Sequence, residues 1–458
     1  MRWVDRIQRG RVVGHGLSRG LRWLLSSATT GTLTLGAVLG GILSGLYVLP
    51  ASPHPSAAGD PSPARASALS CAGQASKAGW VGTWSASQIP ASTTNALSER
   101  GFHNQTLREY VPVSLGGTKV RVRLSNRYGS SPLIVDDVHA GPSRPGGAVD
   151  AKANPRLSFS GMPFTVIPPG GQVTSDPVSM ALSSASMLAV SVYLPGLTGP
   201  TTWEPGAYIT SYVSRAGDHS GEPSAASFPT EITAWYLLAG VDVYSPHQIG
   251  SVVAFGDSIT SGYHSTVDAR ATWPDALARR ILATEPAGHR LAVLDAGIDA
   301  NELLNKSSLG PSAKDRFGAD VAAQTGVRTV IFLEGTNDLR LNRGPGGAHP
   351  LTAGDLISGM RDIIAQAHAH HLRILGGTIP GFKGDTGFYS ARGEATRRAV
   401  NHWIRTSGAF DGVVDFAAAL RDPADGARIR PAYGGPLHPN DAGYQVMANA
   451  VDLNLLCP

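Results

Sequence analysis

The secondary-structure signals change abruptly near residue 247, and this change constrains the fold more than any other feature of the sequence. Before it, residues with strand preference form runs such as TKVRVRLSN (118–126) and MLAVSVYLP (187–195), between turns rich in Gly, Pro, Asn and Ser. After it, similar strand runs alternate with amphipathic segments of helical period. The chain therefore contains two regions of different fold class.

The first region, residues 76–246, shows almost no helical periodicity. Its strand signals are short and evenly spaced, and turn residues separate them. We therefore expect a β-sandwich or jelly roll, because both architectures are built from many short antiparallel strands.

The second region, residues 247–458, alternates strands with helices. This alternation predicts a parallel sheet with helices on both faces. Functional groups in such folds gather beyond the carboxyl ends of the strands. The predicted strands are 251–255, 290–297, 327–335, 372–378 and 411–416, and the predicted helices are 272–284, 355–370, 392–407 and one that follows Asn440 and Asp441.

Residues 1–50 have the composition of an export signal or a membrane anchor. Six arginines lie in the first 22 residues, and residues 23–50 contain no charged side chain. The uncharged segment reaches the ~20 residues that can span a bilayer, so cleavage and retention as an anchor both stay open. Residues 51–75 are rich in Pro, Ala and Ser and predict a flexible linker. We expect an exported protein, either secreted or anchored to the outer face of the membrane.

The basic leader also accounts for the charge of the chain. The formal net charge is +4, and the first 22 residues contribute +5 through six arginines and Asp5. The remainder is close to neutral at −1 and has no stripe of Lys and Arg that would neutralise phosphates. We therefore expect no nucleic-acid partner.

The two cysteines, Cys71 and Cys457, lie near the two ends of the folded part. Chain termini often lie close together, and an exported protein meets an oxidising compartment. These features predict a disulfide between Cys71 and Cys457, with two free thiols as the alternative.

The motif Gly256-Asp257-Ser258 follows the first predicted strand of the second region and opens a helix. A helix N-terminus presents free N–H groups and a positive dipole end, which suit a developing oxyanion. The serine is a candidate nucleophile on this ground. The alternative is that it only caps the helix.

Three further motifs place polar side chains near the same edge of the sheet. Residues 295–301 follow the second strand, and residues 335–338 follow the third, where the amide of Asn337 can donate a hydrogen bond to an oxyanion. Turns closed by Asn or Asp side chains are the alternative for both. His438 precedes the last helix and can serve Ser258 as a general base if the fold brings the two together.

The order of these motifs resembles that of the SGNH/GDSL hydrolases, a family of GDSL-like lipases and acylhydrolases. Gly-Asp-Ser comes first, Gly-x-Asn-Asp follows a later strand, and His-Pro lies near the C-terminus. The resemblance covers residues 247–458, and the stretches TWPDALARR, EGTNDL and LHPNDAGY are similar to an exported bacterial branch in which a β-rich domain precedes the hydrolase domain. It implies a flavodoxin-like parallel sheet, esterase or lipase activity and no cofactor.

The same resemblance assigns roles to individual residues. Ser258 is implied as the nucleophile and His438 as its base. The implied oxyanion hole consists of the N–H of Ser258, the N–H of Ala300, where the family has glycine, and the side-chain amide of Asn337. Three residues are expected to support these groups: Asp257, Gly335 and Asp338.

The triad acid is the main departure from the family pattern. The family has an Asp three residues before the histidine, and this position is Gly435 here. Spoiling the acid of a serine-protease triad lowers kcat by about 10⁴, so another group must orient His438 or the activity is weak. The alternatives are a backbone carbonyl in residues 433–436, as in family members that use a Ser–His dyad, or the carboxylate of Asp422 or Asp425.

We expect a serine esterase that cleaves carboxylic esters through an acyl-enzyme. The ester substrate stays open and includes acylated polysaccharides, lipids and small esters. Two other functions also stay open: a weak or inactive relative that binds extracellular glycans, and an acyltransferase in which an alcohol replaces water. The His-rich run at 368–371 is interpreted as a helix end, and we expect no metal site.

Overall fold

The computed structural model describes residues 77–457, apart from the side chain of Gln248. The predicted export segment, the predicted linker and Cys71 lie outside these residues. Within residues 77–457, no helix is long and apolar enough to cross a bilayer.

The first region consists of short antiparallel strands and one short helix. The helix is α1 (Ala96–Arg100). The strands are β1 (Lys77–Ser85), β2 (Gln105–Pro112), β3 (Gly117–Ser125), β4 (Leu133–Val135), β5 (Asp137–Arg144), β6 (Ala148–Val149), β7 (Thr165–Ile167), β8 (Gln172–Thr174), β9 (Val178–Leu182), β10 (Met187–Leu194), β11 (Trp203–Glu204), β12 (Ser211–Ala216), β13 (Thr230–Ile232), β14 (Trp235–Tyr236) and β15 (Leu238–Gln248).

Two large antiparallel sheets share one hydrophobic core in this region. One sheet has the order β1-β15-β3-β8 with β9 also paired to β3, and the other has the order β13-β12-β2-β10-β5-β6. In β3 the side chains of Val120, Val122 and Leu124 are fully buried, whereas Lys119 before them is exposed and Arg121 is half-buried. This alternation is the sequence signal of a strand with one buried face. The β-rich region is therefore confirmed, and a jelly-roll topology stays a prediction.

The second region contains five strands and eight α-helices within the described residues. The strands are β16 (Ser251–Gly256), β17 (Ala292–Gly297), β18 (Val327–Leu333), β19 (Arg373–Gly377) and β20 (Gly412–Val414). The helices are α2 (Ser258–Ser261), α3 (Trp273–Thr284), α4 (Ala313–Phe317), α5 (Thr336–Leu341), α6 (Ala353–Ala369), α7 (Ala391–Thr406), α8 (Phe416–Leu420) and α9 (Asp441–Ala450).

All five strands are parallel, with the order β17-β16-β18-β19-β20. In chain order this is second, first, third, fourth, fifth, which is the flavodoxin-like order. Helices cover both faces, so Val252 and Ala254 belong to one core and Val253 and Phe255 to another. Burial on both faces explains why this strand is a continuous apolar run. The parallel sheet expected from the sequence is confirmed.

The strand order decides which loops meet at the carboxyl edge. The first strand in the chain, β16, lies between β17 and β18. The turns that follow these three strands are therefore neighbours, although 35 residues separate β16 from β17 and 29 separate β17 from β18 along the chain. Ser258 lies between the turn at 298–301 and the turn at 335–338.

Candidate active site

The turn after β16 holds Ser258 at the start of α2. Asp257 caps this helix, because its Oδ1 accepts a hydrogen bond of 2.9 Å from the N–H of Ile259. Burial is the main influence on this carboxyl and raises the pKa of Asp257 to about 6, although the bond from Ile259 favours the ionised form. Ser258 itself is 8% exposed, and its N–H makes no hydrogen bond that the described part of the chain shows.

The structure brings His438 to this turn. Oγ of Ser258 lies 2.9 Å from Nε2 of His438, so the hydroxyl can donate a hydrogen bond to a neutral imidazole. The two residues are 180 positions apart in the chain. Their contact therefore depends on how α9 and the loop before it pack against the sheet.

The loop that carries His438 is a tight turn. The N–H of Gly435 donates to the carbonyl of His438 over 3.1 Å, and the N–H of Asn440 donates to the carbonyl of Tyr433 over 2.9 Å. Gly434 has a φ of +152°, and a Cβ there would lie 2.4 Å from the carbonyl oxygen of His438. Glycine is therefore required at 434, whereas a Cβ at Gly435 would meet nothing within 4 Å.

No hydrogen bond from a group expected to replace the triad acid to the imidazole of His438 is seen among the described residues. The Asp425 carboxylate forms an ion pair of 2.7 Å with Lys383. Asp422 accepts a hydrogen bond from the N–H of Ala424 over 2.9 Å. Within residues 77–457, no carbonyl of the 433–436 loop and no other group hydrogen-bonds Nδ1 of His438. Orientation of the histidine by one of these groups therefore stays a prediction, and the carboxylates of Asp422 and Asp425 are engaged in a turn and an ion pair of their own.

Without an acid, the surroundings of His438 disfavour its charged form. Burial, followed by the nearby positive charges of His264 and Arg340, lowers the pKa of His438 to about 3. The imidazole is consequently neutral and ready to accept a proton over the whole neutral range. Within residues 77–457, no carboxylate is seen to hydrogen-bond the imidazolium that it would form.

The predicted backbone donor Ala300 lies in the turn after β17. This turn is closed by the N–H of Asn301, which donates to the carbonyl of Ile298 over 3.1 Å. Ala300 has a φ of +59°, the left-handed region that favours glycine. This positive φ explains why the family that the second region resembles has glycine at this position. No hydrogen bond of the Ala300 N–H is seen among the described residues, so it remains available to a ligand.

The predicted side-chain donor Asn337 lies in the first turn of α5, after Gly335, whose φ is +106°. Its Nδ2 donates to the carbonyl of Asn301 over 2.9 Å, which places the amide beside the Ala300 turn. Its Oδ1 accepts a hydrogen bond of 3.0 Å from Nη1 of Arg340. These two bonds fix which end of the amide is the donor, and they leave its second N–H unused.

Asp338 fixes the loop that follows the Ala300 turn. Its two carboxylate oxygens accept hydrogen bonds from the N–H groups of Leu303 and Leu304, over 2.8 and 3.0 Å. Burial raises the pKa of Asp338 to about 7, although these two bonds favour its ionised form. The structure thus places Asp338 as a loop anchor next to Asn337.

Arg316, which was not predicted from the sequence, joins the ends of the central strands. This fully buried guanidinium donates to the carbonyl oxygens of Gly256 and Ala296, each over 2.8 Å. It also pairs with the buried carboxylates of Asp320 and Glu334, at 3.1 and 3.5 Å. The available signal was a charged residue, Glu334, at the end of the otherwise apolar run VIFLE.

Arg340 is a second residue of the site that was not predicted from the sequence. It is 9% exposed, and its Nε forms an ion pair of 2.6 Å with Asp385 while its Nη1 bonds to Asn337. Its spacing from Asn337 was the sequence signal that could have identified Arg340, because residues i and i+3 lie on the same face of a helix. Arg340 lies three residues after Asn337 in α5.

The β-rich region reaches the site through Tyr208. Its hydroxyl lies 3.4 Å from Oδ2 of Asp299, whose Oδ1 accepts a 2.6 Å hydrogen bond from Ser261 in α2. Burial raises the pKa of Asp299 to about 6. No group of three or more His, Cys, Asp or Glu side chains within residues 77–457 is arranged to hold a metal ion.

A family comparison agrees with this geometry. Residues 254–446 match the model of the GDSL-like Lipase/Acylhydrolase family. The second region of the chain contains a GDSL-like lipase/acylhydrolase domain. The matched segment of this domain includes Ser258, Ala300, Asn337 and His438.

Several solved structures are similar to the chain. A member of the lipolytic protein G-D-S-L family from Veillonella parvula DSM 2008 is 20% identical, with a TM-score of 0.33 over 44% of this chain and 94% of that one. A GDSL-like lipase from Bacteroides thetaiotaomicron VPI-5482 is 16% identical, with a TM-score of 0.32 over 43% and 84%. A family two carbohydrate esterase from Cellvibrio japonicus is 12% identical, with a TM-score of 0.31 over 82% and 96%. No curated protein matches the chain.

Proposed function

We propose that the GDSL-like domain hydrolyses carboxylic esters through an acyl-enzyme. The observation that carries this proposal is the 2.9 Å contact between Oγ of Ser258 and Nε2 of His438. Uncommitted N–H groups lie on both sides of that contact, at the start of α2 and in the turn after β17. The family match supports a hydrolase of this general kind.

In the acylation step, Oγ of Ser258 attacks the ester carbonyl as Nε2 of His438 takes the hydroxyl proton. The N–H groups of Ser258 and Ala300 and the free N–H of the Asn337 amide hold the negative charge on the former carbonyl oxygen. The imidazolium of His438 then returns the proton to the leaving alcohol, and the acyl group stays on Ser258.

In the deacylation step, water replaces the alcohol. His438 takes a proton from the water as its oxygen attacks the acyl carbon, and the same donors hold the oxyanion again. Collapse of this intermediate returns the proton to Oγ of Ser258 and releases the carboxylic acid. These steps use only groups that the chain itself supplies.

The test is ester hydrolysis by the purified full chain. Short and long p-nitrophenyl esters are compared for the parent, Ser258→Ala and His438→Ala. We expect activity in the parent and its loss by about 10³-fold or more in both variants, since the members of such a pair act as a unit. Unchanged hydrolysis by Ser258→Ala would remove the proposal. The preferred chain length would narrow the substrate among acylated polysaccharides, lipids and small esters.

A second candidate function, glycan binding by a weak or inactive hydrolase, is favoured by one observation. Gly435 occupies the position of the triad acid, and no other group among the described residues bonds Nδ1 of His438. This candidate predicts retention of the full chain on extracellular polysaccharides together with no ester hydrolysis. Acyl transfer, the third possibility, is distinguished by product analysis with added alcohols.

We further propose that the chain is exported through residues 1–50 and that Cys71 and Cys457 form a disulfide. The composition of the leader supports export. Cys457 is 2% exposed and packs in a core of the second region, whereas Cys71 lies outside the described residues. Thiol labelling of the unreduced protein tests the disulfide, and two free thiols would contradict it.

A further inference from the structure

His438, the proposed general base, lies against two other rings. The family pattern instead predicts an acid beside this histidine. The ring centroid of His438 lies 4.6 Å from that of Tyr263 and 5.3 Å from that of His264. The rings of Tyr263 and His264 are themselves stacked, with centroids 4.7 Å apart and an interplanar angle of 30°. The three rings therefore form one cluster, which we call the ring cluster.

The backbone of Tyr263, which precedes His264, is hydrogen-bonded to α2, the helix that begins at Ser258. The N–H of Tyr263 donates to the carbonyl of Ser258 over 2.9 Å, just beyond the left-handed Gly262 that ends α2. His264 follows with a φ of +76°. Non-glycine residues rarely adopt this region, and here the conformation coincides with the packing of its ring against Tyr263.

The same loop is also tied to the helix that follows His438. The hydroxyl of Tyr444 in α9 donates to the carbonyl of Tyr263 over 2.6 Å. Oδ1 of Asp441, the first residue of α9, accepts a 2.9 Å hydrogen bond from the N–H of Thr266. The ring cluster is thus held from both sides, by the helix of the nucleophile and by the helix of the base.

An aromatic face can stabilise a cation that lies within about 6 Å of its centroid. When Ser258 transfers its proton, His438 becomes such a cation, 4.6 Å from the Tyr263 ring. The charged or titratable groups that face this imidazole are Ser258, Tyr263, His264 and Arg340. The positive charge of Arg340 opposes the imidazolium, so the Tyr263 ring is the favourable contact among them.

We propose that Tyr263 and His264 are positioning residues that hold His438 toward Ser258, and that the Tyr263 ring stabilises the imidazolium where the family uses an acid. This inference rests on the proposed function. A cation–π contact contributes about a tenfold effect, whereas a triad acid contributes about 10⁴. The ring cluster therefore supplies only a small part of the rate effect of a triad acid, and we expect ester hydrolysis to be slow.

The test compares Tyr263→Leu with Tyr263→Phe in the full chain, at pH 8, on a short p-nitrophenyl ester. Removing the ring in Tyr263→Leu lowers kcat about tenfold, with KM changed by less than about twofold. Tyr263→Phe keeps the ring and stays within about threefold of the parent. Equal losses in both variants would overturn the cation–π role, because then the hydroxyl or the fold would be responsible.

His264→Asn tests the second ring, since Asn tolerates a positive φ. We expect kcat to fall about threefold. The matched control is His371→Asn, an exposed histidine with a φ of +57° at the opposite edge of the sheet, for which we expect no change. Equal rates in His264→Asn and the parent would remove His264 from the proposal.

Two failures are distinguishable in this experiment. If the parent hydrolyses no ester, and Ser258 does not react with a fluorophosphonate, the proposed function fails and this inference fails with it. If Ser258→Ala is inactive but Tyr263→Leu equals the parent in kcat, the ester hydrolase stands and the ring cluster alone is overturned. Thermal unfolding of each variant shows whether a lost rate reflects a lost fold.

Discussion

The two halves of the candidate active site are built in different ways. Around Ser258, the proposed nucleophile, hydrogen bonds hold several side chains in place: Asp257 caps α2, Asn337 is held from both ends, and Arg316 joins the strand termini. Around the base, His438 has a hydrogen bond to Ser258 and otherwise contacts rings.

This difference separates two tasks of the site. Oxyanion stabilisation needs donors held still before the reaction, and in the proposed mechanism the hydrogen-bonded half would supply them. Stabilising an imidazolium needs a nearby anion or a polarisable face, and the ring-lined half supplies only the weaker of these. A retained oxyanion site beside a weakened base predicts a slow hydrolase. The following predictions alter one half at a time, from the largest expected effect to the smallest.

Arg316→Met breaks the support of the hydrogen-bonded half. The change leaves the buried carboxylates of Asp320 and Glu334 without their partner, so the free energy of unfolding falls by about 3 kcal/mol. Urea unfolding measures it. The control Arg392→Met, on an exposed part of α7, is expected to change stability by less than about 0.5 kcal/mol. A loss below about 1 kcal/mol in Arg316→Met would show that the buried pairs add little.

Asn337→Ala removes a donor from the hydrogen-bonded half. Because this amide would bind charge that develops in the transition state, kcat falls by about 10²–10³-fold while KM changes little. Steady-state hydrolysis of a short ester measures both constants. The exposed Asn449→Ala in α9 serves as the control. A rise in KM at constant kcat would instead assign Asn337 to substrate binding.

Gly435→Asp adds an acid to the ring-lined half at the spacing of the family. A Cβ at this position meets nothing within 4 Å, so the loop accommodates the side chain. We expect kcat to rise about tenfold, far below the ~10⁴ of an intact triad, because this loop did not form around a carboxylate. Gly435→Asn controls for the backbone effect. Equal rates in both variants would show that a carboxylate at 435 does not act on His438.

The pH profile of the unmodified chain shows the state of the base. Burial and nearby positive charge lower the pKa of His438 to about 3, so its reactive neutral form persists as the pH falls. We expect kcat/KM to stay nearly constant from about pH 8 to about pH 5, because protonation of the base begins only below this range. A single acid limb at about pH 6.5 would show an ordinary histidine pKa and contradict this description of the site.

The sequence predicted much of the second region because its signals are local. The apolar run Ser251–Phe255 reads as a buried strand, and the observed strand is Ser251–Gly256. The predicted helix 272–284 is observed as Trp273–Thr284, where Thr272 accepts a hydrogen bond from Asp275 at its N-terminus. Periodicity and capping residues act within a few positions, so they can be recognised without the fold.

The contacts of His438 could not be predicted from such local signals. Asp422 and Asp425 are close to it in sequence, yet Asp425 pairs with Lys383 in another loop. Tyr263 and His264 are 174 or more positions away and become its neighbours through the packing of α9. The positive φ of His264 could not be predicted from its residue type, because only a small fraction of histidines adopt it.

The sequence by itself determined the position of Ser258 after a strand, the alternation that makes a parallel sheet, and the absence of an acid at Gly435. Each of these depends on residue type and short spacing. Only the tertiary structure decided that Arg316 and Arg340 complete one half of the site and that rings line the other. Those contacts form between segments far apart in the chain, and their geometry is set by the packing of the whole core rather than by local preference.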